Sequence, residues 1–436
     1  MQGEASSQGT ARVKGTADKT VSPWPRVFGI VTAFLAVFLF FLFRLVYQQG
    51  NSAQEPWLKE LHTFLASRRD QNAMTPISEA FEGLDWESLH RQKKAMRELA
   101  ITGWKGENEE IIGVLERNAA LVPAVTASAE IDDVVFPLTK DRGIEAPRPP
   151  FELLETVAYF LTANARLLEW KGRVDDSMLR MSETALLGMR FCRPRDEACL
   201  NSHLAGLAMI DLSANGMTRI LSRDVPADQT LATCYERLTE IDRDLPSIAE
   251  ALEADADVFA NELLAHGNSP AQMASVLQFY NRDLSEVQAA ALAKDLGADV
   301  PTFKEEHGKL WGEVGRVLRL PFPTRPLLDA NWLEAQTPNR LARMYFPDVQ
   351  TLAVRETVTR ARVRLLRAVC LEALGRDAEA RALRDPFSGM PFQWTDKGVY
   401  SLGPDARDDG GVVLYEPTRG VSSAGDVAAY FPPRMD

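Results

Sequence analysis

The chain has 436 residues, of which 45% are hydrophobic, and a formal net charge of −12 at pH 7. This acidic balance argues against nucleic acid as a partner, because phosphate backbones require a basic protein face, and equally against a polybasic lipid-binding surface. The length permits two or three domains, and the apolar content is sufficient for a packed core.

The stretch Val27–Tyr47 reads VFGIVTAFLAVFLFFLFRLVY and carries a single charge, Arg44. A helix of 21 residues rises about 30 Å, which matches the hydrocarbon core of a bilayer. The alternative is a cleaved signal peptide, but the apolar run and the tail before it are long for one. We therefore predict a single transmembrane helix at 27–47.

The charges that flank this span predict its orientation. Only Arg44 and then Lys59 follow on the far side, whereas the tail 1–26 is richer in basic residues. Those in the tail are Arg12, Lys14, Lys19 and Arg26. Because basic flanks stay in the cytoplasm, we expect a disordered cytoplasmic tail, an inner-membrane span and a periplasmic main domain.

Composition divides the rest of the chain into four predicted parts. Residues 48–121 form a membrane-proximal helical segment, with helices expected at Glu55–Ser67, Trp86–Leu99 and Gly103–Leu121. Residues 122–150 hold five prolines and are predicted to be a connection, which could contain a short strand at 134–136. A helical body follows at 151–384, and a small β-hairpin module at 385–436.

The body 151–384 repeats apolar residues every three or four positions, which is typical of helices packed on one face. Two segments in it, Leu167–Phe191 and Leu365–Leu383, resemble helix–turn–helix units of tetratricopeptide-type repeats. The alternative is ordinary helical hairpins, because no 34-residue period joins the two segments. The prediction is a mainly α fold with an all-α body of antiparallel helices.

Four cysteines occur in the body. Cys192 and Cys199 enclose six residues that include a helix-breaking proline, and a periplasmic location would permit a disulfide between them. The alternative is two separate core residues. Cys234 and Cys370 lie in helical patterns and are expected in the core. No C-x-x-C occurs, so neither a zinc ribbon nor a redox motif is supported.

The pattern changes at Asp385, where Pro, Gly, Asp and aromatic residues replace the helical spacing. Residues 392–394 and 399–402 alternate with period two, and Asp396-Lys397-Gly398 between them predicts a hairpin turn. We expect a third short strand at Val412–Tyr415, and irregular structure in the last twenty residues.

The segment Asp385–Gly411, DPFSGMPFQWTDKGVYSLGPDARDDGG, resembles the C-terminal part of the major pseudopilins of type II secretion. Those proteins carry a D-P-x-G-x-P hairpin, then Y-S-x-G-x-D-G and a calcium-binding Gly/Asp loop. The resemblance implies calcium ligands at Asp405 and Asp408, with Asp409 as a further candidate. The alternative is a solvated Asp/Gly turn that closes the hairpin.

The match to the pseudopilin pattern is incomplete. Ala406 stands where the family has a glycine, and Phe34 occupies the fifth position after Gly29, where the family has a glutamate. The second departure leaves pilin-type processing and filament assembly unsupported. The whole layout also resembles membrane-anchored proteins of the Planctomycetes type, which combine an N-terminal anchor, a helical body and a DPFSGKPL…YSVGPDGKDDGG-like end.

No motif indicates catalysis. None of the five histidines lies in H-E-x-x-H, and neither G-x-S-x-G nor a phosphate-binding G-x-x-x-x-G-K-[ST] occurs. Glu305-Glu306-His307 is a charged cluster more typical of a solvated helix face than of a catalytic dyad. We expect a non-enzymatic envelope scaffold that binds protein partners. The alternatives are a pseudopilin-like secretion component with a calcium loop, and an envelope enzyme with a carboxylate-based site.

Overall fold

The computed structural model describes residues 72–132, 134, 151–192, 200–266, 269–280, 284–344, 346–416, 423 and 425–430. The chain divides into two compact units, Met1–Ser52 and Ala53–Asp436, and every described residue belongs to the second. None of the helices in these ranges is both long enough and apolar enough to cross a bilayer. The predicted tail 1–26, the transmembrane helix at 27–47 and the helix at Glu55–Ser67 lie outside the described residues.

The described chain is mainly helical and ends in a small antiparallel sheet, which confirms the predicted fold class at that level. The helices before the Pro-rich region are α1 (Met74–Phe81), α2 (Trp86–Thr102), α3 (Glu109–Arg117) and α4 (Leu121–Ala129). Those of the first half of the body are α5 (Phe151–Trp170), α6 (Val174–Cys192), α7 (Leu200–Leu221), α8 (Asp228–Asp244) and α9 (Ile248–His266). Those of its second half are α10 (Pro270–Tyr280), α11 (Glu286–Leu296), α12 (Val300–Leu318), α13 (Ala330–Gln336), α14 (Arg340–Met344), α15 (Val349–Ala373) and α16 (Asp377–Ala382).

Helix α2 confirms the prediction for Trp86–Leu99, and its ends follow local rules. Asp85 caps its start, because the carboxylate accepts a hydrogen bond from the Ser88 amide at 3.1 Å. Gly103, with φ of +87°, ends it in a conformation that side chains rarely adopt. Sequence spacing thus located this helix to within three residues.

The predicted helix Gly103–Leu121 is wrong in part, because the chain forms α3 and α4 with a break at Asn118. The buried Asn118 side chain accepts from the Asp85 amide at 2.8 Å and donates to the Val114 carbonyl at 2.9 Å. Helix α4 also corrects the predicted connection 122–150. Pro123 lies in the first turn of α4, where a missing N–H has no helical partner to lose.

The buried apolar side chains of the described residues form three clusters. One joins α1–α5 with the end of α6 and the middle of α7, and one lies among α9–α12 and α14. The third contains α6, α7, α8, α15 and the C-terminal sheet. Helix α15 is shared between the second and third clusters, with Val349 and Ala353 in one and Val354 and Val358 in the other. It therefore holds the two halves of the body together.

Arginines on α15 satisfy the polar groups of the helices around it. Arg362 pairs with Asp211 of α7 at 2.9 Å, and Arg364 and Arg367 both pair with Asp242 of α8. These side chains keep their charged ends at the edges of the core while their methylene groups lie along it. A helix with so many charges can therefore be buried along most of its length.

The C-terminal sheet has the order β1 (Gln393–Trp394), β2 (Gly398–Ser401), β3 (Val427–Tyr430), all antiparallel. The pairing of β1 with β2 confirms the predicted hairpin and its turn. The predicted third strand at Val412–Tyr415 is wrong: only Leu414 forms an isolated bridge, to Asp426. The third strand is β3, in the segment predicted to be irregular.

Packing against α15 explains why β3 replaces the predicted strand. Val427 and Ala429 are buried in the core cluster that contains α15, together with Val399 of β2. Val412 has no such layer over it and is 81% exposed. An apolar run becomes a strand only where a partner strand and a covering layer meet it.

Candidate functional site

Asp385, the first residue of the Asp-Pro turn, is the buried polar centre of the C-terminal module. It is 1% exposed. Its Oδ1 accepts hydrogen bonds from the Phe387 amide at 2.9 Å and the Ser401 hydroxyl at 2.7 Å. Its Oδ2 accepts from the Ser388 hydroxyl at 2.9 Å and the Leu402 amide at 3.3 Å. One carboxylate therefore ties the turn after α16 to strand β2, and its role is structural.

The loop 403–411 carries the three predicted calcium ligands. Asp408 Oδ1 accepts hydrogen bonds from the Tyr400 hydroxyl at 2.8 Å and from the Gly410 amide at 2.9 Å. Asp405 Oδ1 accepts from the Arg407 amide at 3.2 Å, whereas its Oδ2 is buried and has no hydrogen-bond partner in the described part of the chain. Asp409 is half-buried. The loop is therefore held by its own backbone and by Tyr400.

A fourth carboxylate, Asp426, lies beside this loop and was missed by the sequence analysis. It is fully buried, and its Oδ2 accepts a hydrogen bond from the Gly411 amide at 2.8 Å. Its Oδ1 is buried without a hydrogen-bond partner among the described residues. A buried anionic oxygen without a partner is costly, so this atom marks a place where a cation or proton would be stabilised.

The electrostatics of Asp426 agree with that geometry. Burial raises the pKa of its carboxyl group to about 6, and the charges of Asp409 and Asp408 add to the rise. The amides of Gly411 and Asp409 act in the opposite direction. The charges of Asp408 and Asp409 therefore act on Asp426 in the folded chain. Asp426 is nevertheless 15 residues away in sequence from Gly411, the loop residue whose amide donates a hydrogen bond to it.

These carboxylates are not gathered into a metal site in this structure. In the part of the chain that the structure describes, no three His, Cys, Asp or Glu side chains form a group that could hold a metal ion. The donor chemistry nevertheless fits calcium, which prefers hard carboxylate and main-chain carbonyl oxygens in a glycine-rich turn. An ion would have to draw the loop 403–411 toward Asp426.

Ala406 occupies the position where the pseudopilin pattern has glycine, and its φ is +53°. An alanine in this left-handed region is strained by about 1–2 kcal/mol. We expect Ala406→Gly to stabilise the protein by up to about 1 kcal/mol, since the greater freedom of glycine in the unfolded chain offsets part of the relief. Urea unfolding of the two proteins measures the change, and a destabilised variant would contradict it.

The three cysteines that the structure describes are buried. Cys234 and Cys370 are buried in the core, as predicted, and burial raises the pKa of both thiols. Cys192 is buried, and its sulfur is 3.4 Å from the His203 carbonyl oxygen. Cys199 lies outside the described residues, so the bridge to Cys192 stays a prediction.

His307 is a core residue and faces away from the acidic side chains next to it in sequence. Its Nε2 is 3.0 Å from the Ala256 carbonyl oxygen, and its ring lies among Phe259, Phe303 and Trp311. Burial lowers the pKa of its imidazole, so the ring is neutral near pH 7. The cluster at 305–307 is therefore divided between the core and a solvated face.

Comparison of the chain with protein-family models, with curated proteins and with solved structures gives no match. The resemblances of Asp385–Gly411 to major pseudopilins, and of the whole layout to Planctomycetes-type anchored proteins, therefore stay predictions. What the C-terminal module can do follows from its own geometry.

Proposed function

We propose that this chain is a non-enzymatic, membrane-tethered envelope protein whose C-terminal module binds a calcium ion. The observation that supports the ion site is the buried, unpartnered Oδ1 of Asp426 beside the loop 403–411. The proposal also includes the membrane tether at 27–47, the periplasmic location and the tetratricopeptide-like hairpins of the body. These three parts are supported by the sequence patterns given above. Stacked helices of that kind offer grooves to protein partners.

The calcium proposal has a simple electrostatic basis. Without an ion, the charges of Asp408 and Asp409 oppose ionisation of Asp426. A divalent cation between Asp426 and the loop would replace this repulsion by attraction and supply a partner for the bare oxygen. Main-chain carbonyls of the loop would complete a ligand shell of six to eight oxygens.

We expect millimolar calcium to raise the melting temperature of the full-length, detergent-solubilised protein relative to EDTA. An ion that binds only the folded state, at a free concentration one hundred times its Kd, raises the free energy of unfolding by about 2.7 kcal/mol. Equimolar magnesium should have a smaller effect, because it demands a tighter octahedral shell. Absence of any calcium shift at millimolar concentration would overturn the proposal.

Asp426→Asn provides the sharpest variant, because the neutral amide keeps the shape of the side chain. In EDTA at pH 7.5 it should be at least as stable as the wild type, since it removes the repulsion with Asp408 and Asp409, yet it should lose the calcium shift. The control is Asp396→Asn in the exposed β1–β2 turn, which should keep the full shift. A calcium shift retained by Asp426→Asn would place the ion elsewhere.

The same carboxyl predicts a pH dependence in EDTA. Its folded-state pKa of about 6 exceeds its ordinary value of 3.8, so the folded state binds more protons between these values. This contribution to stability is therefore present at low pH and is lost as pH rises through about 6. Asp426→Asn should lack this component in melting curves recorded between pH 4 and pH 7.

Envelope placement is tested separately. The intact protein should stay in the membrane pellet after alkaline carbonate extraction, and a reporter fused to the C-terminus should be active only in the periplasm. Release by carbonate would overturn the tether without bearing on the calcium site.

A further inference from the structure

A cleft of about 320 Å³ opens where the segment 321–325 meets the middle of α15 and the turn 384–389. Its lining includes four arginines, and these come from three different parts of the chain. They are Arg325, Arg360, Arg364 and Arg384. The lining also includes two acidic residues, Glu356 and Asp385, so the arginines outnumber the acids by two.

Two of the arginines are already paired with acids. Arg360 Nε pairs with Glu356 Oε1 at 2.7 Å, and Arg364 Nε pairs with Asp242 Oδ1 at 2.8 Å. These contacts fix both guanidinium groups on the face of α15. The positive charge that is available to a ligand therefore comes mainly from Arg325 and Arg384.

Arg325 and Arg384 have no acidic partner among the described residues. Arg325 Nε donates to the Leu320 carbonyl at 2.8 Å, and Arg384 Nη1 donates to the Gly389 carbonyl at 3.3 Å. Burial lowers the pKa of Arg325, and the negative charge of Glu356 opposes part of this effect, so the guanidinium is poorly solvated and only partly compensated. Arg325 is half-buried, so an anion that reaches it would stabilise a poorly solvated positive charge, whereas Arg384 is exposed.

Among the described residues, neither acid in the lining forms an ion pair with Arg325 or Arg384. Glu356 Oε2 accepts from the Ile248 amide at 2.6 Å, and its other oxygen is held by Arg360. All four hydrogen bonds of Asp385 go to its own turn and to β2. Both carboxylates are therefore committed to the fold, and the cleft keeps a net positive charge.

The remaining wall of the cleft is apolar and rigid. Phe322 packs edge-to-face on the buried Phe387, with ring centroids 4.7 Å apart, and the Arg325 guanidinium lies over the Phe322 ring at 5.7 Å. Three prolines line the same region: Pro321, Pro323 and Pro386. Such a wall suits the carbon body of a small ligand whose charged end faces the arginines.

We propose that this cleft binds the oxyanion group, phosphate or carboxylate, of a small organic molecule. Arg325 and Arg384 are the binding cations, because both present planar N–H donors that suit two-oxygen recognition. The site is separate from the loop 403–411 and does not depend on calcium. Because its walls come from α15 and from the C-terminal module, a bound anion would also hold these two parts together.

The test measures binding to the full-length protein, in buffer freed of calcium on a chelating resin, by calorimetry and by thermal shift. The probes are inorganic phosphate, pyrophosphate and citrate, compared with sodium chloride at matched ionic strength. We expect at least one oxyanion to bind saturably and to raise the melting temperature beyond the salt control. Binding of the phosphates alone, or of citrate alone, identifies the headgroup. Shifts no larger than those from sodium chloride would overturn the proposal.

Variants then assign the site. Arg325→Gln and Arg384→Gln should each weaken oxyanion binding by about tenfold or more, since each removes a charge-assisted donor. Arg316→Gln is the control, because Arg316 is exposed and pairs with Glu313 on its own helix. Arg325→Lys keeps the charge without the planar fork and should bind with intermediate affinity. Binding that is unchanged in both glutamine variants would overturn the assignment, and Asp426→Asn should bind the oxyanion normally.

Discussion

Asp385→Ala is expected to destabilise the protein by about 4 kcal/mol, because it leaves several buried donors without an acceptor at once. The Ser401 hydroxyl and the amides of Phe387 and Leu402 lose the carboxylate that accepts their hydrogen bonds. The effect should spread beyond the turn, since Phe387 belongs to the same core cluster as α15. Urea unfolding followed by circular dichroism measures the loss.

The control for this prediction is Asp396→Ala, in the exposed turn between β1 and β2. Surface substitutions of this kind change stability by about 0.5 kcal/mol or less. Asp385→Asn provides an intermediate case, because the amide retains one acceptor oxygen and should recover part of the stability. A midpoint for Asp385→Ala equal to that of the wild type would show that the turn does not support the sheet.

Gly206→Ala is expected to be comparably damaging, by about 3 kcal/mol, because it separates two tightly packed helices. A Cβ added at Gly206 would lie 2.3 Å from the Gly188 carbonyl oxygen and 2.5 Å from Cys192 Sγ. The nearest atom belongs to the backbone of α6, so side-chain rearrangement cannot relieve the overlap. Denaturant unfolding should show a lower midpoint with an unchanged slope.

Gly312→Ala in α12 is the matched control, since it is the same chemical change in another helix. Nothing lies within 4 Å of the Cβ it would add, and Gly312 is exposed. There the better helix propensity of alanine should stabilise the protein by about 1 kcal/mol. If both substitutions changed stability alike, the close approach of α6 and α7 at Gly188 and Gly206 would be refuted.

The elements that were predicted correctly depend on short-range physics. In helix α2 and in the β1–β2 hairpin, the residues that begin the element, end it and give it a buried face lie within a short stretch of sequence. Cys234 and Cys370 were expected in the core because apolar neighbours recur at helical spacing around them. Helix α4 was not predicted, because its proline and small residues are typical of a connecting segment. Its packing on α1 and α6 is what favours the helix.

In the candidate site, too, some residues could be selected from local sequence and others only from the folded structure. Asp405, Asp408 and Asp409 stand in a recognisable Asp/Gly pattern, so local sequence was enough to select them. Asp426 has no pattern of its own, and it reaches the loop only because Leu414 pairs with it and β3 pairs with β2. The arginine-lined cleft was missed for a similar reason, as its charges come from residues 325, 360–364 and 384.

Local sequence patterns are sufficient to predict that the chain is mainly helical, where several helices begin and end, and that a hairpin follows Asp385. These features follow from side-chain periodicity, caps and turn residues, whose effects extend over one or two helical turns. Tertiary packing is needed to show which carboxylate is buried without a partner among the described residues, which strand completes the sheet and which arginines of the cleft form no ion pair there. Each of those depends on which distant segments exclude water from one another, and desolvation is a property of the packed chain.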